Sequence, residues 1–499
     1  MKRTFQVVCC AFLGMVFQSA KAQSFSGLQN SNFAGVHSVY SNPALLTSMA
    51  YKRHANITSM GFDVNTNLVS LTAPFTLWQA ITGNVPAAYL NNKGKVQWSN
   101  DYLQSYPVGT QGWAQMGVEW RGPAYAKRIG QRTVWATHVR TRANVSMKNV
   151  SDATLAYARE FLDSGFKQVG GLQLLQTATS PLSLQANAYQ EIGASLAYAI
   201  VDAKKLKVSA GVTAKYLMGL GHVSVLSEGM QLQAYGRDSI VINHSMFDIA
   251  YSDSKLFQRL MQGVITGGLP SLSEIMGNGF GMDLGVSVEG GKGGSVVQFK
   301  ERWLGDPTVR NYQWRLAASL MDWGHVSYKN RLNTFHMSNA NPVTLKMDSA
   351  LMSAFAQGST EGFAYLEQFA RDNMNYSQGA RTQRIAMPTQ LLLQGDFRLM
   401  SRVYTSFVWQ QSLVSAQTMG FRQPSSLLVT PRIEMKWLEV AMPVGLTQDY
   451  RKGNIGAYVR VGPLFVGSDN FVSNLMLNNI KGVNMYLGLS TSIGKFKKH

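Results

Sequence analysis

Apolar and polar residues alternate with a period of two in many short segments of this 499-residue chain. Between Thr133 and Met147, for example, Trp135 and Val139 lie on one face of the predicted strand and Arg140 lies on the other. Successive side chains of a β-strand point to opposite faces, so this pattern predicts strands that are apolar on one face only. No other feature constrains the fold as strongly.

The alternation recurs along the rest of the chain, as far as 485–493. Segments 191–200 and 206–216 flank a polar turn at 202–205, which predicts a β-hairpin. All the alternating segments, counted together with less regular ones, predict roughly fourteen strands. This is an even number, as in bacterial barrels. Beyond its first 22 residues the sequence has no run of about 20 apolar residues, so it could cross a membrane only as a closed barrel. We therefore predict an all-β fold, a transmembrane antiparallel β-barrel.

A soluble β-sandwich also alternates, so a second criterion is needed. In a membrane barrel the apolar face meets lipid, and aromatic side chains gather at the strand ends. Six tryptophans lie at or near the ends of predicted strands and favour the barrel: Trp120, Trp135, Trp314, Trp323, Trp409 and Trp437.

The predicted connections alternate in length. Tight links such as 202–205 separate longer ones, namely 69–112, 149–184, 220–277 and 330–388. Bacterial barrels have short turns at one end and long loops at the other. Two of the long connections contain apolar residues at helical spacing, at 153–163 and 349–373, and these predict helices.

The first 22 residues have the features of a signal peptide. A basic stretch at Met1–Thr4 precedes an apolar stretch at Val7–Phe17, and small residues occupy both ends of Ala20–Ala22. We expect cleavage near Ala22 and an outer-membrane location. The two cysteines lie within the apolar stretch, so the mature chain would have no thiol for disulfides, metal binding or catalysis.

Basic residues outnumber acidic ones, with 46 Lys and Arg against 27 Asp and Glu. In a cytoplasmic protein this excess would indicate nucleic-acid binding, but an exported chain with scattered basic residues gives that reading little support. We expect no nucleic-acid partner. The charge fits attraction to anionic outer-membrane lipid and basic side chains inside a polar lumen.

Catalytic and metal-binding motifs are not evident. The glycines at 277, 279 and 281 lack the spacing and the following Lys-Ser/Thr of a phosphate loop. The sequence has neither a Gly-x-Ser-x-Gly nor a His-Glu-x-x-His motif, and its eight histidines are scattered. We predict no catalytic site, no metal and no cofactor, and hence a protein that is not an enzyme.

Four polar residues alternate on the predicted lumen face of the 133–147 strand: His138, Arg140, Arg142 and Asn144. They could form a basic stripe that attracts anionic solutes or counters a carboxylate of a plug. Alternatively, they could pair with carboxylates of neighbouring strands such as Glu119, Glu191 or Asp283. We favour pairing, because a filled barrel interior needs its charges satisfied.

Several short motifs follow one another in the same order as in a known protein family. Ser31–Val36 and Tyr40–Ala44 resemble the start of a Bacteroidota family of outer-membrane proteins of unknown function, number 5723. Further stretches of the same resemblance extend over nearly the whole mature chain: Arg121–Tyr125, Lys215–Gly221, Gly279–Gly285 and Val461–Asp469.

The Asn42-Pro43-Ala44 element also resembles one in FadL-type transporters and in PorV-like barrels. That resemblance implies fourteen strands and an N-terminal segment folded inward as a hatch. Pro43 stiffens the backbone and Asn42 can bond its own turn, although an ordinary turn before the first strand remains an alternative. We assign residues 1–22 to the signal peptide, 23–50 to the hatch and 51–499 to the barrel, and expect the hatch to bond Arg140 and Arg142.

The two resemblances imply different functions. A FadL-like barrel would bind or pass a hydrophobic or amphipathic small molecule. A PorV-like barrel would transport nothing and would hold surface or secretion-system proteins through its long loops. The sequence does not decide between them.

Overall fold

The computed structural model describes most of the chain beyond residue 24. The described residues are 25–49, 51–90, 96, 102–105, 108–109, 112–152, 155, 170–176, 182–203, 205–235, 239–254, 271–291, 312–329, 332–346, 348–357, 359–415, 422–476 and 479–492. The expected signal peptide lies outside them. So does the predicted helix at 153–163, apart from residue 155.

Strands account for most of the described structure. Their bounds are β1 (Arg53–Thr66), β2 (Val69–Thr72), β3 (Leu103–Ser105), β4 (Gly112–Ile129), β5 (Thr133–Val150), β6 (Gly170–Gln176), β7 (Leu182–Asp202), β8 (Leu206–Tyr235), β9 (Ser239–Ser252), β10 (Gly277–Gly290), β11 (Trp314–Tyr328), β12 (Leu332–Asn339), β13 (Val343–Lys346), β14 (Asn375–Gln378), β15 (Gln383–Ala386), β16 (Gln390–Arg398), β17 (Val403–Ser412), β18 (Ser426–Glu434), β19 (Leu438–Ala441), β20 (Val444–Thr447), β21 (Lys452–Ile455), β22 (Ala457–Val461), β23 (Leu464–Ser468), β24 (Asn479–Ile480) and β25 (Gly482–Ser492). The α-helices are α1 (Leu77–Thr82), α2 (Ser349–Gln357), α3 (Ser359–Asn373) and α4 (Phe471–Met476).

Fourteen wall strands close into one antiparallel ring. Two of them are interrupted: β19 and β20 together form one wall strand, and β21 and β22 form the next. The order around the ring is β1, β4, β5, β7, β8, β10, β11, β16, β17, β18, β19 with β20, β21 with β22, β23 and β25. Strand β25 pairs with β1 again. The predicted fourteen-stranded barrel is confirmed.

The two faces of the ring differ as the alternation predicts. In β7, Leu196 and Ile200 are about half exposed on the outer face, whereas Glu191 and Ser195 are buried on the inner face. Large apolar side chains are exposed in the same way on other wall strands, such as Val286 in β10. A continuous apolar belt of this kind suits hydrocarbon rather than water, so the ring is a membrane-spanning wall.

None of the described helices is both long enough and apolar enough to cross a membrane.

The two tryptophans of β11 lie at different levels of the wall. Trp314 is the first residue of β11, and Trp323 lies nine residues further along and is 53% exposed. Nine residues span ~30 Å along a strand, or ~23 Å across a bilayer at the usual tilt, close to the height of the lipid-facing band. Trp120 and Trp323, which were predicted at or near strand ends, lie within β4 and β11. Strands such as β4, with 18 residues, continue past the lipid-facing band.

The wall extends beyond the membrane at the end opposite the tight turns. The predicted loop at 220–277 is wrong in part, because β8 continues to Tyr235 and pairs there with β9. Strand β12 adds to β9, and α3 packs Phe363 and Ala370 against this sheet, on a cluster that includes Ala186 and Ile249. Helices α2 and α3 confirm the predicted helical segment at 349–373.

Candidate functional site

Residues 25–49 lie inside the ring and bond to strands on several of its sides. The segment contains two 3-10 helices, Gly35–Tyr40 and Pro43–Ser48. Each of its residues is buried except Gln29, which is partly exposed. Because the segment is flanked by wall strands, its polar groups must find partners there or within the segment.

Asn42, Pro43 and Ala44 connect this segment to two neighbouring strands. The side chain of Asn42 accepts a hydrogen bond from the Ala44 N–H at 2.9 Å, and Pro43 begins the second 3-10 helix, where its missing N–H costs little. Asn42 Nδ2 also donates to the carbonyl oxygens of Val286 in β10 and Ala318 in β11, at 3.2 and 3.1 Å. One side chain thus caps the helix and bonds to the wall.

Two wall glycines allow this close approach. A Cβ atom at Gly285 would overlap the Asn42 side chain, and one at Gly211 would lie 2.5 Å from backbone atoms of Pro43 and Ala44. Any larger residue at either position would push the segment away from the wall.

Wall carboxylates accept hydrogen bonds from the segment. Ser31 Oγ donates to Glu439 at 2.8 Å, and Asn32 donates to Glu434 through both its backbone N–H and its side chain. Further bonds of this kind join Ser26 to Asp469, at 2.9 Å, and Ser48 to Glu289.

The expected bonds from this segment to Arg140 and Arg142 are not what the structure shows. These guanidinium groups bond to wall carboxylates instead, and Arg140 meets the segment through the Tyr40 ring, 5.2 Å from its centroid. Buried arginine needs a negative partner, and serine and asparagine side chains supply none.

The four polar residues of β5 lie buried in a dense ion network. Arg140 bonds to Glu191 at 2.8 and 3.0 Å, and His138 lies 3.2 Å from the same carboxylate. Arg142 lies 2.8 Å from Asp322. Asn144 is also buried, one layer further along the strand. The basic side chains are therefore paired with neighbouring carboxylates.

Asp322 is the residue at the centre of this network that the sequence analysis missed. Its carboxylate also contacts Arg140 at 3.0 Å and Lys215 at 2.6 Å, and Lys215 in turn bonds to Asp283 at 2.7 Å. Asp322 thus contacts three cations, Arg140, Arg142 and Lys215. Together with Asp283 these five charged groups come from four wall strands.

A β-bulge directs Asp322 into the lumen. Met282 pairs with Trp323 but Leu284 pairs with Leu320, so a single residue of β10 opposes two residues of β11. Asp322 has a φ of 55°, in the left-handed region, and its side chain points inward although a period-two count places it outside. The only sign of this bulge in the sequence was the spacing of Leu320 and Trp323. Both belong to the apolar face, yet they are three residues apart, an odd spacing that a regular strand does not allow.

An ion pair holds residues 422–425 near the end of the barrel opposite the tight turns. Arg422 makes two hydrogen bonds to Asp449, at 2.8 and 2.7 Å, and the Ser425 N–H donates to the same carboxylate at 2.9 Å. Partial burial raises the pKa of Asp449, but the bonds from Arg422 and Ser425 outweigh it and hold the pKa below its ordinary value.

Two adjoining cavities lie between this end of the barrel and the N-terminal segment. The deeper cavity, of about 20 Å³, is lined by Phe25, Tyr40, Arg121 and Leu392 among others. The outer cavity, of about 60 Å³, is lined mainly by amide, hydroxyl and carboxylate side chains. Gln410 and Gln423 line both cavities. Apolar and polar side chains therefore both line the cavities next to the segment.

Arg121 shapes the deeper cavity. Its guanidinium group lies 3.6 Å from the Phe25 ring centroid and 4.3 Å from that of Tyr40, and its Nε donates to Glu119 at 2.6 Å.

Within the described residues, no group of three or more His, Cys, Asp or Glu side chains is arranged to hold a metal ion.

A model of a family of unknown function, DUF5723, matches residues 43–469. The match includes most of the motifs on which the sequence resemblance was based, and it begins after Ser31–Val36. No curated protein matches the chain.

Several solved structures are similar to this chain at low identity. The Ralstonia pickettii toluene transporter TbuX is 11% identical, with a TM-score of 0.39, and the match covers 93% of this chain and 95% of that one. A Pseudomonas aeruginosa FadL homologue is 11% identical, with a TM-score of 0.28 and coverage of 95% and 99%. The monoaromatic hydrocarbon channel CymD is 8% identical, with a TM-score of 0.31 and coverage of 93% and 94%.

Proposed function

This chain belongs to DUF5723, a family of unknown function, and we propose that it is an outer-membrane barrel that binds and passes a hydrophobic or amphipathic small molecule. The observation that carries this proposal is the mixed lining of the deeper cavity. Phe25, Leu28 and Leu392 offer apolar surface beside Arg121 and Glu119. Ligand sites typically combine apolar walls with a few placed polar groups.

The N-terminal segment is the hatch in this proposal. A ring of fourteen strands is wide enough to leave space that wall side chains do not fill, so an open lumen would leak. Residues 25–49 occupy that space and are held both by hydrogen bonds to wall groups such as Glu434 and Glu439 and by apolar side chains such as Leu46 that pack against the wall. The hydrogen bonds can be exchanged for bonds to water, and the wall strands pair through their own backbone, so the segment can move aside without unfolding the wall.

Binding can be tested with phenylnaphthylamine, a neutral dye whose fluorescence rises in apolar surroundings. We expect saturable binding to the full-length protein in lipid nanodiscs. Leu392→Gln should weaken it, because Leu392 lines the deeper cavity. Leu413→Gln, at a 55% exposed site, is the matched control and should bind as the unchanged protein does. The proposal fails if none of the three proteins shows a saturable signal above that of empty nanodiscs.

A second function, a scaffold for surface or secretion-system proteins, is favoured by one observation. The sheet of β8, β9 and β12 rises beyond the lipid-facing band and carries α3. Crosslinking from positions in 330–388 in intact cells would test it. A specific protein partner together with no small-molecule binding would favour the scaffold over the transporter.

A further inference from the structure

Two basic side chains lie directly opposite each other on the outer face of the ring. Arg53 is the first residue of β1, and Lys127 of β4 is its partner in the strand register. Each alternates with a buried inward residue, His54 and Arg128 respectively, so both basic side chains point outward. Directly opposed side chains have Cβ atoms about 5 Å apart, and like charges at that spacing destabilise the strand pair. An anionic group beside the two would remove that repulsion.

The described part of the chain supplies no such group. Neither Arg53 nor Lys127 makes an ion pair or a hydrogen bond through its side chain to another described residue. The neighbouring sequence has no acidic side chain either. The link 130–132 that follows β4 contains no Asp or Glu, and neither does 493–499, which follows the other neighbour of β1, strand β25. The missing anion is therefore sought outside the protein.

Aromatic side chains place this basic pair at the level of the lipid head groups. Lys127 lies opposite Trp135 of β5, and Tyr125 lies two residues from Lys127 on the same face of β4. The Tyr125 and Trp135 rings meet edge to face, with their centroids 5.6 Å apart. Trp and Tyr on the outer face of a membrane protein mark the boundary between acyl chains and head groups. An anion that reaches Arg53 and Lys127 here belongs to a lipid.

The end of the barrel identifies the leaflet. Strands β4 and β5 are joined at this level by the tight link 130–132, and short turns of bacterial barrels face the periplasm. The lipid is therefore one of the periplasmic leaflet.

We propose that Arg53 and Lys127 bind the phosphate group of one anionic phospholipid. A guanidinium group can donate two parallel hydrogen bonds to a phosphate, and an ammonium group can donate a further charge-assisted bond. The acyl chains of the same lipid lie along the apolar outer face of β1, where Ile57 is 51% exposed. The head group thus bridges β1 and β4 from outside. This inference does not depend on the proposed function, because the cavities lie inside the ring.

The test measures lipid that stays bound to the full-length protein. The protein in nonionic detergent is titrated with phosphatidylglycerol, which carries a net negative charge, or with phosphatidylcholine of the same acyl chains, which carries none. Native mass spectrometry counts the bound molecules. We expect one phosphatidylglycerol to bind, with a preference of about fivefold for each of the two basic side chains. Equal retention of the two lipids would overturn the inference. So would inorganic phosphate that binds as tightly as phosphatidylglycerol.

A matched pair of double variants locates the site. Arg53→Gln with Lys127→Gln removes both charges and should abolish the preference. Arg402→Gln with Lys436→Gln is the control, because it removes two exposed charges in the tight links after β16 and β18 and should keep the preference. An equal loss in both double variants would indicate attraction to the whole basic end of the barrel and would overturn this site.

Lys127→Glu separates loss of binding from loss of folding. It gives Arg53 a carboxylate partner in place of a repelling ammonium group, so the barrel should unfold at the same or a higher temperature. The preference for phosphatidylglycerol should disappear in the same variant. Heat-modifiable gel mobility measures the unfolding temperature. A folded Lys127→Glu protein that still prefers phosphatidylglycerol would overturn the inference.

Discussion

Asp322 and Arg142 lie 2.8 Å apart inside the barrel, on wall strands that are not neighbours in the ring. Strand β11, which carries Asp322, is separated from β5 by β7, β8 and β10. Their contact crosses the interior, so the network braces the wall from within. It adjoins the deeper cavity, because Arg140 belongs both to the network and to the cavity lining.

Asp322→Ala should destabilise the barrel by about 3–5 kcal/mol, the cost of leaving buried cations without their carboxylate. The measurement is urea unfolding in detergent, followed by the mobility of folded and unfolded bands on gels. Asp248→Ala is the control, because Asp248 pairs with His336 at an exposed site. That variant should lose less than about 1 kcal/mol. Equal losses in the two variants would contradict the bracing role of the network.

Gly285→Ala should loosen the N-terminal segment without unfolding the ring. Its added methyl group would overlap the Asn42 side chain, and yielding of the segment costs less than yielding of the wall. We expect higher conductance in planar bilayers and normal heat-modifiable mobility. Gly453→Ala is the control, because a Cβ there meets no atom within 4 Å. If both variants conduct alike, this contact does not hold the segment in place.

Deletion of residues 24–49 behind an intact signal peptide should leave a barrel that inserts but conducts far more ions. The wall strands pair with one another through their own backbone, so the ring does not need the segment to close. Single-channel recording compares the intact and truncated proteins. Equal conductance would remove the hatch from this account and leave closure to the loops or to wall side chains.

Asp449→Asn should speed entry of phenylnaphthylamine several-fold at pH 7, because it breaks the ion pair that holds residues 422–425 beside the cavities. The pKa of Asp449 is lowered, so the pair is fully formed above the ordinary value of about 3.9 and is lost as the pH falls through the lowered value. Acidification below the lowered pKa of Asp449 should therefore speed entry in the unchanged protein more than in the variant.

Stopped-flow fluorescence measures this rate. Glu367→Gln, on α3 and bonded to Arg371, is the control and should bind the dye at the unchanged rate at pH 7. The same entry rate in Asp449→Asn and the unchanged protein would show that the pair does not limit access.

The sequence by itself determined the barrel. The alternation in segments such as 191–200 is a local property of each strand. It occurs along the whole wall because every strand contacts lipid on its outer face and polar groups on its inner face. The helical segment at 349–373 was predicted for the same reason, since helical spacing is also local. The family was recognisable from short motifs, because their order along the chain survives without any three-dimensional information.

The tertiary structure alone decided which side chains contact one another inside the barrel. Asp322 enters the lumen only because a bulge shifts the register of β11, and one extra residue leaves almost no trace in a sequence. The partners of Ser31 and Asn32 lie more than 400 residues away, where no spacing rule reaches. Tyr40 and Gln390 come together at one cavity because the ring closes, and ring closure is a property of the whole chain.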